Sequence, residues 1–100
     1  MTDKQREYVE RVRGIVLKHI KPSNADIWLF GSAARGDLRR WSDIDVAIEP
    51  HSELSPLALA LLREELEEST SPYPVDVVDL RSAGESLNKV VREEGIQWTA

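Results

Sequence analysis

Asp43 and Asp45, in the segment DIDVAI, are the residues best placed to do chemistry. Residues two apart on a strand share a face, with Cβ atoms roughly 6.5–7 Å apart. Two carboxylates at that spacing repel by about 2.5 kcal/mol at an effective dielectric of 20. Ile44, Val46 and Ile48 take the other face and anchor the strand in a core. The acid pair is therefore costly unless a cation binds between its members; the alternative is a strand whose acids point to water. Asp76 and Asp79 lie on a later strand, three positions apart and so on opposite faces. One of them, joined to the first pair, would complete three oxygen donors. That is the usual setting of Mg2+, which keeps several waters or substrate phosphate oxygens. Periodicity alone does not choose between 76 and 79.

Gly31-Ser32 follows the apolar run Ile27-Trp28-Leu29-Phe30 and precedes a short helical stretch, Ala33-Ala34-Arg35. Glycine there permits a tight turn and a close backbone approach. Free N–H groups and a serine hydroxyl at such a turn can bind an anion, although the pair also suits a plain strand-to-helix turn. Gly31 to Gly36 has GxxxxG spacing, but Asp37-Leu38 stands where a Walker A loop needs Lys-Ser/Thr, and no GxGxxG is present. A phosphate-cradling turn 12 residues before a carboxylate pair, with a third acid later in the chain, points to a nucleoside triphosphate and its metals. One of the acids could also take the proton of an acceptor hydroxyl.

The elements that must position these groups follow from local pattern. Thr2 to Gln5 has capping-box spacing, and Val9, Val12, Val16 and Ile20 recur at helical intervals up to Lys21-Pro22. Ser23 to Asp26 reads as a turn, Ile27 to Phe30 as a buried strand, and residues 31–42 as a Gly-, Arg- and Ser-rich connection. Asp43 to Ile48 alternates as a strand, and Pro50 ends it. Ser55-Pro56 opens a helix running into LALALLREELEES. Val75 to Leu80 is a third strand after the Pro72 and Pro74 turn. A last helix runs from Ser82 or Ser86 to Glu94 with Leu87, Val90 and Val91 on one face, stops at Gly95, and leads to a short terminal strand, Ile96 to Trp98. The order α-β-(loop)-β-α-β-α predicts an α/β chain with helices covering a small sheet.

Composition narrows the function. The chain has 100 residues, net charge −5 and no cysteine, which excludes disulfides, thiolate zinc sites and cysteine nucleophiles. One domain with one core is expected, with no room for a second, substrate-binding domain. The longest apolar run, Leu57 to Leu62, is six residues, far short of a membrane span, and the charged N-terminus lacks an apolar signal core. A cytoplasmic protein is expected. Residues 1–40 carry nine basic and five acidic side chains, residues 41–100 four and thirteen. No basic surplus supports duplex binding.

The segment GSAARGDLRRWSDIDVAI closely resembles the nucleotidyltransferase signature: GS, a short Arg/Gly-containing spacer, then S-D-[IL]-D-[LVI], with a third Asp in a later segment like PVDVVDL. Within that superfamily, which includes polymerase beta, the layout over about residues 8–98 resembles the minimal nucleotidyltransferases that pair, often as antitoxins, with HEPN-domain ribonuclease toxins. The resemblance implies an α/β (α+β) nucleotidyltransferase fold, a small mixed sheet flanked by helices, with residues 1–100 as a single minimal domain. By the same resemblance Gly31 and Ser32 hold the triphosphate, and Asp43 and Asp45 bind Mg2+. Asp76, rather than Asp79, is the third carboxylate, metal ligand and candidate base. Arg35 and Gly36 match the ARG of the signature, Arg35 as a tether for the loop. The implied activity is transfer of AMP from ATP to a tyrosine hydroxyl of the partner toxin, silencing it within a complex of the two. Two other readings stay open: an antitoxin that occludes its toxin without catalysis, and a nucleotidyltransferase acting on a small molecule such as an aminoglycoside.

Other residues invite plainer expectations. His19 and His51 are far apart and lack ligand spacing, so surface or helix-end roles are expected. Trp41 could stack on a base or a partner, with packing inside its own loop the first expectation; Arg39 and Arg40 suit phosphates, an acidic partner or a solvated loop. Leucines of the helix from Leu57 spread over about 200°, wider than a usual core stripe, which predicts a largely buried helix.

Overall fold

In the structure, a computed structural model describing residues 1–69 and 72–99, the first helix starts where its cap demands. The Thr2 hydroxyl accepts from the Gln5 N–H (3.1 Å), and Gln5 Oε1 accepts from the Thr2 N–H (2.9 Å). These two bonds satisfy two otherwise orphaned donors. Helix α1 spans Asp3–His19 and buries Val9, Val12 and Val16, the expected stripe.

Strand β1, Ala25–Phe30, starts inside the segment read as a turn. The reason is pairing: Ala25 and Asp26 lie opposite Pro50 and Glu49, so the ladder draws them in. A four-residue helix, α2 (Gly31–Ala34), follows, and β2 spans Ile44–Pro50. Asp43 thus sits at the entrance of β2 rather than within it. The third strand, β3, is Val75–Asp79; Leu80 falls outside but still donates its N–H to Ile48 O at 2.9 Å. Helix α4 is Glu85–Glu94 with Gly84 as its N-cap, not Ser82 or Ser86. The Ser82 hydroxyl is spent on Asp79 O at 3.1 Å, and Ser86 lies inside the helix. Strand β4 is Ile96–Gln97; Trp98 adds a hydrogen bond to Ile27 O at 2.7 Å.

The strands form one mixed sheet in the order β3-β2-β1-β4, with β2 and β3 parallel and the other pairs antiparallel. This agrees with the expected small mixed sheet flanked by helices. Alternation divides the core. Ile27, Leu29, Val46 and Ile48 pack with Val12, Val16 and Leu62 under α1 and helix α3 (Pro56–Glu68), while Trp28, Phe30 and Ala47 pack with Leu80 and with Val91 of α4.

Helix α3 departs from expectation. Only Leu62 and Leu66 are buried, while Leu57 and Leu61 are 65% and 44% exposed. One sheet face gives a helix a single line of contact, so leucines spread over a wide arc cannot all reach it. Leu62→Ala should therefore cost about 2–5 kcal/mol. Leu57→Ala should stay within about 0.5 kcal/mol of wild type. Urea denaturation midpoints at constant slope check both values; equal losses at the two positions would contradict this burial pattern.

Candidate active site

Strand register assembles the acids at one end of the sheet. Antiparallel pairing sets Phe30, the last residue of β1, opposite Asp45, so Gly31 turns away directly beside that carboxylate. Parallel pairing sets Asp76 beside Asp45 and Asp79 beside Ile48, three residues further on. Asp43 leads into β2 at the same end. Asp76 is therefore the acid of its strand that joins the Asp45 end. Asp79 is occupied elsewhere: Arg81 Nη2 lies 2.8 Å from its Oδ2, and that guanidinium holds its carboxyl below the usual range.

The glycine is required twice. Gly31 has φ +72°, a backbone region that side-chain-bearing residues avoid. A Cβ there would also collide with Asp45 Oδ2 and lie 3.2 Å from Asp45 Cγ. The turn thus leaves room for the carboxylate as well as reversing the chain. Gly36, at φ +73°, ends α2 with no neighbour in reach of an added Cβ.

Asp45 carries the electrostatic strain of this end. Burial, then the charges of Asp76 and Asp43, push its carboxyl up from 3.8 to about 6, against an opposing pull from Arg35. Both neighbouring acids are exposed and Asp45 is half-buried. Like charges, that of Asp76 across the parallel pair ahead of that of Asp43, crowd a partly desolvated group, and a hard cation would offset the cost. No group of three metal-ligating side chains is already gathered around one point among the described residues. The donor chemistry nonetheless fits a divalent cation, since Asp43, Asp45 and Asp76 offer only oxygens and the exposed pair have room to change rotamer.

Ser32 is the second residue of α2, after Gly31, and is half-buried. Arg35 is exposed, and its charge acts on Asp45 instead of tethering the loop by its side chain. The loop is tied by other groups: Asp37 N–H donates to Ser32 O (2.8 Å), and Gln5 Nε2 donates to Leu38 O (2.8 Å) and to the Tyr73 hydroxyl (3.0 Å). Trp41 is not buried by its loop; it is 86% exposed, and the contact it makes there is with the Arg40 guanidinium, 5.2 Å from its ring centroid. His19 pairs with Glu65 (2.9 Å) and His51 with Asp26 (3.2 Å), both away from the acids. The sequence reading missed the second duty of Gly31 and the pull of Arg35 on Asp45. Both come from pairing between β1 and β2, for which a single sequence carries no direct signal.

Comparison with known proteins bears on the family and the fold. Residues 16–98 match the family model described as polymerase beta, nucleotidyltransferase. The protein adenylyltransferase MntA of Shewanella oneidensis is 41% identical over 71 residues, 71% of this chain but only 50% of that protein. Among solved structures, a toxin-antitoxin complex with AMP-PNP has a chain 35% identical, with TM-score 0.71, covering 91% of this chain and 73% of the other. A chain of the complex between tri-AMPylated Shewanella oneidensis HEPN toxin and MNT antitoxin is 29% identical, with TM-score 0.68, covering 96% and 73%. Of the curated relatives it matches, the chain spans from 33% to 68% of their lengths.

Proposed function

Because the chain belongs to the polymerase beta nucleotidyltransferase family, we propose that it is a Mg2+-dependent protein adenylyltransferase, an antitoxin that transfers AMP from ATP to a tyrosine hydroxyl of a HEPN-domain toxin. On this reading residues 1–100 form a single minimal nucleotidyltransferase domain, cytoplasmic and in complex with its toxin, with neither a membrane nor duplex DNA as partner. The observation that carries the proposal is the strand register that brings Asp76 beside Asp45 while Gly31 abuts the Asp45 carboxylate. MntA in Shewanella oneidensis carries the name protein adenylyltransferase, and the structural neighbours are antitoxin complexes, one with AMP-PNP and one with an AMPylated toxin.

The residues divide the work. Gly31 and Ser32 present backbone N–H groups and a hydroxyl to the triphosphate. Asp43, Asp45 and Asp76 would hold Mg2+, which when bound neutralises phosphate charge and polarises the α-phosphorus. Asp76 also takes the acceptor's proton as the hydroxyl oxygen bonds to the α-phosphorus. The bond from that phosphorus to the β-phosphate breaks, and pyrophosphate leaves.

Transfer of α-labelled ATP in host lysate tests this. Wild type should label a discrete protein band, Asp76→Ala should not, and Asp79→Ala should label it normally while losing some stability with its Arg81 pair. Label on small molecules alone would instead mark a small-substrate enzyme. Full neutralisation of the toxin by Asp43→Asn/Asp45→Asn would mark an occluding antitoxin.

A further inference from the structure

The phosphate and metal groups recognise what every nucleoside triphosphate shares and leave its base without a partner. We propose that Trp41 is the stacking platform for the base of the bound nucleotide, a binding residue of this site; the inference rests on the nucleotidyl-transfer reading above. Among the described residues Trp41 is the only exposed Trp, Tyr or Phe; Trp28, Phe30 and Trp98 are buried, and Tyr8 and Tyr73 are half-buried and pack edge to face.

Its position is held rather than loose. Residues 39–42 form a closed turn in which Ser42 N–H donates to Arg39 O (2.9 Å) and Arg39 N–H donates to Ser42 Oγ (3.0 Å). The turn is anchored on one side by buried Leu38 and on the other by β2. Trp41 stands two residues before Asp43, and two residues span at most about 7 Å of backbone. It is therefore tethered to the acid pair that would face the α-phosphate, with the ribose left to bridge the gap. Arg40, against the ring at 5.2 Å, steadies the indole. The indole is left 86% exposed, with its face open to a ligand, in the segment that leads into Asp43. An aromatic face accepts any base, so the platform confers affinity with little choice among bases.

The test compares calorimetric binding of Mg-ATP and of inorganic tripolyphosphate with Mg2+ to wild type, Trp41→Ala and Trp41→Phe. Trp41→Ala should bind ATP about 5- to 100-fold more weakly, and Trp41→Phe should restore most of that affinity. Tripolyphosphate should bind all three proteins alike, and exposure of the side chain should leave the melting temperature unchanged. ATP affinity unchanged in Trp41→Ala overturns the proposal, including the case where only transfer to a protein acceptor is lost, which would make Trp41 an acceptor contact. Equal losses for ATP and tripolyphosphate also overturn it, by showing that the loop acts on phosphates. If wild type binds neither ligand, the nucleotidyl-transfer reading fails first and the platform falls with it; protein labelling retained by wild type separates the two failures.

Discussion

Asp45→Asn should abolish nucleotidyl transfer and, at the same time, raise the melting temperature of the ligand-free protein. The Asp45 carboxyl is raised to about 6 in the folded chain from 3.8, first by burial and then by Asp76 and Asp43. A group whose folded value lies above its unfolded value contributes stability at low pH. That contribution is lost as the pH rises from the unfolded value through the folded one. Near neutrality the charged carboxylate therefore opposes folding. The shift converts to a ceiling of about 3 kcal/mol, which solvent screening of a half-exposed group reduces to about 1–2 kcal/mol. Removing the charge should raise the melting temperature by about 4–15 °C at pH 8. The gain should shrink through pH 6 and vanish toward pH 4, where wild-type Asp45 is itself protonated. Thermal melts of both proteins across that range, without divalent cation, check the sign. Adding Mg2+ should stabilise wild type and leave Asp45→Asn nearly unmoved. Transfer should fall at least about 100-fold, because a metal-borne charge stabilisation of several kcal/mol goes with the ligand. A variant less stable than wild type at pH 8 would show that Asp45 is held by favourable contacts and that its strain is not the signature of a cation site.

Gly31→Ala should be the more damaging change to the fold. Left-handed backbone at φ +72° costs an alanine about 1–2 kcal/mol, and its methyl must displace the Asp45 carboxylate it would collide with. A total loss of about 2–3 kcal/mol is expected, with transfer reduced to background because the displaced acid no longer faces the turn. Gly36→Ala separates the two causes. It carries nearly the same backbone strain at φ +73° but meets nothing within 4 Å. It should lose about 1–2 kcal/mol and keep its transfer activity. Denaturant melts and labelled-ATP transfer on the two alanine variants make the comparison. Equal loss of activity at both glycines would mean that backbone strain alone, and not the approach of Asp45, is what Gly31 relieves.

The acids themselves were legible because their signals are local. Asp43 and Asp45 flank Ile44 where an alternating apolar pattern begins, Gly31-Ser32 ends an apolar run, and Thr2 with Gln5 spells out a cap; each pattern closes within a few residues. The resemblance of GSAARGDLRRWSDIDVAI to a known signature rests on the same short stretch. Element types came from period, and their ends slipped by one or two residues where a ladder partner recruited a residue, as Pro50 recruited Ala25.

Everything that depended on a distant segment had to wait for the folded chain. The sequence by itself determined which residue types were available, the helices and strands that carry them, and a family likeness pointing to Asp76. Tertiary structure decided that Asp76 lies beside Asp45 while Asp79 turns to Arg81, because that choice is made by a register between strands about 30 residues apart. It also decided that Leu57, Leu61 and Trp41 stay in water. Burial is a property of what packs opposite, and a helix on a four-stranded sheet has one side to bury. The crowding that raises Asp45 belongs to the same class, since a carboxylate feels its neighbours in space, whatever their separation along the chain.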